Sequence, residues 1–283
     1  MNIRRLALGA FVLPAALGAQ STCTPKSSTN EAKLLAFFAG PLGFSAVPGV
    51  WTLGFGRIAV AGELAMLPKP PSSISHSSGA CGFNKAENSD LAPVFPRPRV
   101  AIGLGRGIVV EASWLPPVTV MDATPKLSGL AISWTSGATL PFASAHLTLR
   151  AHTTLGGVEG PITCPKKYLQ TSSVSQPCYG STPSDDRYEP NSTGVEAVAH
   201  ATLTKWGWHA GTGMNSLSSR LKVNFTDGRG FVDNNIVRIS LTRFAVFGGV
   251  SYDALPKVSL SAQLYSVPSD ATTGRLGVAW RLR

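Results

Sequence analysis

The sequence predicts an all-β chain closed into an antiparallel transmembrane β-barrel of about ten strands, within a range of roughly 8–12. Short turns would lie on one face and long loops on the other. Three observations carry this expectation. Apolar and polar residues alternate with period two in segment after segment. The connectors between those segments alternate in length. Only 14% of the 283 residues are charged, against about 25% in an ordinary soluble domain.

The composition already excludes several classes. With 43% hydrophobic residues the chain is too apolar for a disordered acidic or basic protein. With 29 Gly and 21 Pro it is a poor coiled coil or helical repeat.

Residues 1–20 read as a secretory signal peptide. Arg4 and Arg5 precede an apolar stretch from Leu6 to Ala19, and small residues follow at Gly18 and Ala19. That stretch is too short to span a bilayer as a helix. Residues 21–49 form a separate segment, periplasmic or plug-like, and 50–283 are assigned to the barrel. The predicted strands are 50–66, 97–105, 107–115, 127–135, 143–155, 194–204, 207–223, 236–252, 257–267 and 274–283. In 143–152, for example, Leu147, Leu149 and Ala151 share one face, and Thr148, Arg150 and His152 the other. Parity slips near Gly56, Leu217 and Phe244, which predicts β-bulges there.

Connectors after the even-numbered strands are tight, and those after the odd-numbered ones are generally longer. Barrels of the bacterial outer membrane have short periplasmic turns and long outer loops. In lipid a spanning sheet must close, because every backbone donor and acceptor needs a partner. Trp114, Trp134, Trp208 and Trp280 lie near strand ends on apolar faces, as an aromatic girdle does.

Four cysteines in an exported chain point to disulfides, with three possible connectivities. Cys164 and Cys178 share one loop and are the expected pair; closing a loop of about 15 residues is worth roughly 3 kcal/mol. By exclusion Cys23 then pairs with Cys81. No CxxC spacing or His cluster calls for a metal, and no cofactor is expected.

Reading the polar strand faces gives a candidate lumen of Arg99, Glu111, His146, Arg150, His152, Glu196, His200, Arg238, Arg275 and Arg281. A barrel of about ten strands has little free bore, so an open porin is disfavoured. A self-satisfied Arg–Glu network is the main expectation, with a narrow, basic-leaning path beside it. His152 near Thr154, and His200 near Thr202 and Glu196, are the sets closest to a nucleophile–base arrangement; none is assigned as catalytic. Asp185 and Asp186 with Glu189 read as a solvated loop sooner than a cation site.

Net charge is +10, or about +8 without Arg4 and Arg5, which suits an anionic outer leaflet containing lipopolysaccharide. Nucleic acid is a poor reading, since no dense basic run is interleaved with aromatics.

The C-terminal residues Arg275, Gly277, Trp280 and Leu282 follow the spacing of polar residue, glycine, aromatic and hydrophobic residue. The stretch resembles the insertion signal of bacterial outer-membrane β-barrel proteins, although Arg283 stands where a final aromatic is usual. The resemblance implies recognition by the barrel-assembly machinery, a location in the outer membrane and a last strand that closes on the first. It points to no single functional family. The expected role is structural or narrow transport, with an outer-loop binding or adhesion module and a lipid-processing enzyme as alternatives.

Overall fold

The computed structural model describes residues 21–46, 52–75, 78–81, 94–120, 122–140 and 145–282, apart from the side chains of 138–140. The signal-peptide expectation for 1–20 and the terminal Arg283 lie outside them.

Ten long strands form the wall. They are β1 Ile58–Met66, β2 Val94–Gly105, β3 Ile108–Trp114, β4 Thr124–Leu140, β5 Ala145–Gly160, β6 Ser192–Leu203, β7 Trp206–Leu217, β8 Leu241–Leu255, β9 Val258–Val267 and β10 Ala271–Arg281. Each pairs antiparallel with its neighbour in sequence. β10 pairs back onto β1 from Arg275↔Ala65 to Arg281↔Ala59, which closes the barrel. No sheet edge is left within the wall, as a bilayer requires.

The pleat sorts the side chains. On β9, Leu260 and Leu264 point outward while Ser259, Gln263 and Tyr265 are buried inside. On β10, Leu276, Val278 and Trp280 are outward and Arg275 is inward. Exposed Trp114, Trp134, Trp206, Trp208 and Trp280 add aromatics to this apolar outer surface. An outside of Leu, Val, Ile and Trp around an inside of Arg, Glu and His inverts the soluble pattern and fits a membrane-spanning barrel.

One mouth is made of short turns. Arg106 and Thr204, in the β2–β3 and β6–β7 turns, have φ of 52° and 56°, the left-handed backbone that two-residue hairpins demand. The other mouth carries the long connections, and there a small second layer rises from the wall. Asp186–Glu189 pairs with the end of β5, Arg220–Lys222 with Asp186–Glu189, and Ile236–Arg238 with Arg220–Lys222. Thr22–Cys23 then adds in parallel to Ile236–Val237.

This layer corrects the predicted strand limits. Residues 207–223 are not one strand: β7 stops at Leu217, and 220–222 belong to the layer above it. Residues 236–252 divide the same way at Ile239–Ser240. The first strand starts at Ile58, not at 50, because 52–57 turn at the short-turn mouth.

The expected bulges are also elsewhere. The β7–β8 ladder runs unbroken from Leu241 to Tyr252, past Phe244. Leu217 is simply a strand end, and Gly56 precedes the first strand. Register shifts fall instead at Gly103/Gly105, Thr135/Thr139 and Asp253/Leu255, next to short turns. The apparent slip on β8 arose because Ala245 and Phe247, which face inward, are apolar. Phe247 stacks on Tyr265 with ring centroids 5.5 Å apart.

Residues 30–42 form the only α-helix among the described residues, α1 Asn30–Leu42. Thr29 caps it, its hydroxyl accepting from the Ala32 N–H at 3.4 Å. Burial runs all round it, from Ala32 and Leu34 through Phe37 and Phe38 to Leu42. A surface helix would have one apolar stripe; α1 is enclosed because it sits in the long-loop end of the barrel, under the layer of Tyr188, Leu221, Val223 and Phe225. It packs with Leu217, Leu221, Val223, Phe225 and Tyr188 in the long-loop half. The Tyr188 hydroxyl donates to the Leu35 carbonyl at 2.6 Å.

Both disulfides form as expected. Cys164–Cys178 closes the 161–191 loop, and Cys23–Cys81 ties the start of the described chain to the loop after β1.

The candidate site in the barrel lumen

Below α1 the chain continues into the middle of the barrel as Gly43-Phe44-Ser45-Ala46. Its carbonyls meet a ring of arginines. Arg97 donates to Leu42 O at 2.6 Å and Gly43 O at 3.0 Å, from β2. Arg150, on β5, donates to Phe44 O at 2.7 Å, and Arg99, two residues along from Arg97, to Ser45 O at 2.6 Å. From β10, Arg275 donates to Pro41 O, Gly43 O and the Ser45 hydroxyl. Gln263 reaches Ala46 O at 3.3 Å.

Three carboxylates hold the same arginines. Glu63 takes Arg99 at 2.6 Å and Arg275 at 3.1 Å. Glu111 takes Arg99 at 2.9 Å and Arg150 at 3.4 Å, and Glu196 takes Arg150 at 2.8 Å. All of these side chains are almost completely buried. Among the described residues this central network sets four arginines against three glutamates. The carbonyl end of α1, with its partial negative charge, lies against Arg97 and Arg275 and offsets the excess.

The Phe44 ring sits among the guanidiniums of Arg99, Arg150 and Arg97, at 4.2, 4.8 and 5.7 Å from its centroid. Cations over an aromatic face are attracted to it, the more so where water is excluded. Opposite the ring lies Gly129, where an added Cβ would fall 2.5 Å from Ser113 Oγ and 2.8 Å from Phe44 Cγ. Glycine is needed there so that Phe44 can seat.

Of the sequence-predicted lumen residues, Arg99, Glu111, Arg150, Glu196 and Arg275 meet in this network. His152 is beside it, 3.6 Å from Glu196. His200 lies closer to the short-turn mouth, bonded to Thr148 at 3.0 Å, and the ring of half-buried His146 is tilted against it with centroids 5.9 Å apart. Arg281 is half-buried at the rim and pairs with Asp253 at 3.1 Å. Arg238 is a correction: it is exposed, in the layer above the barrel, because the chain leaves the wall before β8 begins.

Sequence reasoning missed Glu63, Arg97, Ser45 and Gln263. Glu63 is the one charged residue of IAVAGELAM, and Arg97 shares parity with Arg99; both signals were readable. The suggested His152–Thr154 pair does not form a hydrogen bond. Thr154 accepts from the Phe44 N–H at 3.0 Å, and His200 bonds Thr148 at 3.0 Å, while Thr202 is exposed.

The Asp185–Glu189 stretch differs from the expected solvated loop. Asp186 is fully buried and accepts from Thr163 N and Oγ1, Ser184 Oγ and Asn224 N at 2.6–2.9 Å. Burial pushes its carboxyl up from the ordinary range, against the pull of these donors. Replacing it, as Asp186→Ala, leaves buried donors unmatched at about 1–3 kcal/mol each. Limited proteolysis of the folded barrel should then cut within 161–191 while the barrel core stays intact; equal resistance in both proteins would show the knot to be dispensable.

No protein-family model and no curated protein matches the chain. Solved structures do resemble it. An outer-membrane channel from Pseudomonas putida F1 aligns over 84% of this chain and 100% of its own, at 9% identity and TM-score 0.43. The attachment invasion locus protein Ail of Yersinia pestis, in complex with a heparin analogue, aligns over 82% and 100% at 10% identity and TM-score 0.29. Outer membrane phospholipase A of Escherichia coli aligns over 88% and 98% at 11% identity and TM-score 0.24. At such similarity none of them assigns this chain a role.

Proposed function

We propose that the protein is an outer-membrane β-barrel of structural or narrow-transport type, held closed by its own residues 30–46. The observation that carries this reading is the ring of Arg97, Arg99, Arg150 and Arg275 on the carbonyls of residues 41–45. Backbone held by that many charge-assisted hydrogen bonds in a water-poor lumen is a seated plug, not a loose tail. The apolar outward belt supports insertion in a bilayer, and the short and long mouths support periplasmic and external sides. Contact with lipopolysaccharide on the external side and delivery by the barrel-assembly machinery belong to the same reading.

Conductance in planar bilayers tests it. The intact protein should give no stable open current. A variant lacking residues 30–46 should conduct steadily and prefer anions, since four arginines then face three glutamates in the bore. Large stable currents from the intact protein, or none from the variant folded in detergent, would defeat the reading.

A second reading, an external binding module, is favoured by the 161–191 loop. Its disulfide and the Asp186 knot give it a fixed shape that a mere connector does not need.

A further inference from the structure

An even-stranded antiparallel barrel leaves the free ends of its first and last strands at the same mouth. Here that is the short-turn mouth: the Gly56 N–H donates to Gly103 O at 2.9 Å, and the Leu282 N–H to Ile58 O at 2.8 Å. Ser21 is at the other mouth. Its carbonyl accepts from the Ile236 N–H at 2.9 Å, Thr22–Cys23 pairs with Ile236–Val237, and Cys23 is disulfide-bonded to Cys81 in a long loop. Between them, α1 lies in the long-loop half and Phe44 to Ala46 in the middle of the lumen. Leu53 and Gly54 then press their carbonyls against Gly103 beside the short turns.

From this order we infer that the chain threads its own barrel. It enters at the long-loop mouth and leaves at the short-turn mouth before β1 starts. Ser21 and Leu282 therefore lie on opposite sides of the membrane, with Ser21 displayed on the long-loop side. What the lumen takes is then a polypeptide segment, gripped through its main-chain carbonyls and through the side chains of Phe44 and Ser45. The inference rests on the membrane-spanning reading given above, and it is independent of which side is external.

Three epitope tags distinguish these possibilities. One is inserted directly before Ser21, one between Val174 and Ser175 in the disulfide-closed loop, and one after Arg283. Each protein is first checked for heat-modifiable mobility, so that only folded barrels are scored. On intact cells the N-terminal and loop tags should bind antibody, and the C-terminal tag only after permeabilisation. If the N-terminal tag behaves like the C-terminal one while the loop tag is accessible, threading is wrong. If only the C-terminal tag is accessible on intact cells, threading stands, because the N-terminal and loop tags still share a side, and the assignment of the long loops to the external side fails.

Discussion

Replacing Glu63 with alanine is expected to cost about 3–5 kcal/mol of stability, the usual price of breaking a buried ion pair from one side. Glu63 holds Arg99 at 2.6 Å and Arg275 at 3.1 Å, and all three side chains are almost wholly out of solvent. Its loss leaves four arginines facing Glu111 and Glu196. Neither remaining carboxylate pairs with Arg275 in the native arrangement. Urea unfolding of the detergent-solubilised protein, followed by tryptophan fluorescence, should show a clearly lower midpoint for Glu63→Ala. The double change Glu63→Leu with Arg275→Leu should be milder than the single one, since no charge is then stranded at that contact. If the single variant unfolds at the native midpoint, the network is not what holds the lumen together.

Gly129→Leu should unseat the plug. Even the first carbon of a side chain would come within 2.8 Å of Phe44 Cγ and 2.5 Å of Ser113 Oγ. The ring is already crowded, with three guanidiniums 4.2 to 5.7 Å from its centroid. Forcing extra carbon into a packed site costs about 1–3 kcal/mol. Here that strain falls on the contact between wall and plug, so the expected result is leakage current from a barrel that is otherwise folded. A Gly129→Leu protein as silent as the native one would mean that Phe44 does not seal the bore.

How far the sequence could be read depended on what each side chain faces. The strands β3, β5, β6, β9 and β10 were legible because their outer residues meet lipid and their inner ones meet charge, so the alternation is clean. β8 misled because Ala245 and Phe247 face an apolar interior, and an inward apolar residue looks like a slip in parity. WTLGFG at 51–56 alternates like a strand, yet its described part turns beneath the barrel. Arg238 was misplaced for a related reason: Ile236–Arg238 keeps strand-like alternation while pairing with the outer layer. The helix could be noticed as an apolar run after Thr29, but nothing local says that its partner is the inside of a barrel. The arginine ring was only half readable, since its other half is backbone carbonyl, which leaves no trace in residue type.

The Glu63–Arg275 contact also spans the junction of β1 and β10, joining residues 212 apart in sequence. Closing so long a loop is entropically costly, and distant pairings of this kind form late compared with local hairpins. The nine hairpin-type pairings between sequential strands need no such search. The final seam does, and until it zips the segment 41–46 can enter sideways instead of being fed through end-on. Closing around that segment gives the buried arginines their carbonyl partners as the seam forms. Seating the segment and fastening the cylinder are thus expected to be one kinetic event, with Glu63 and Arg275 as its clasp.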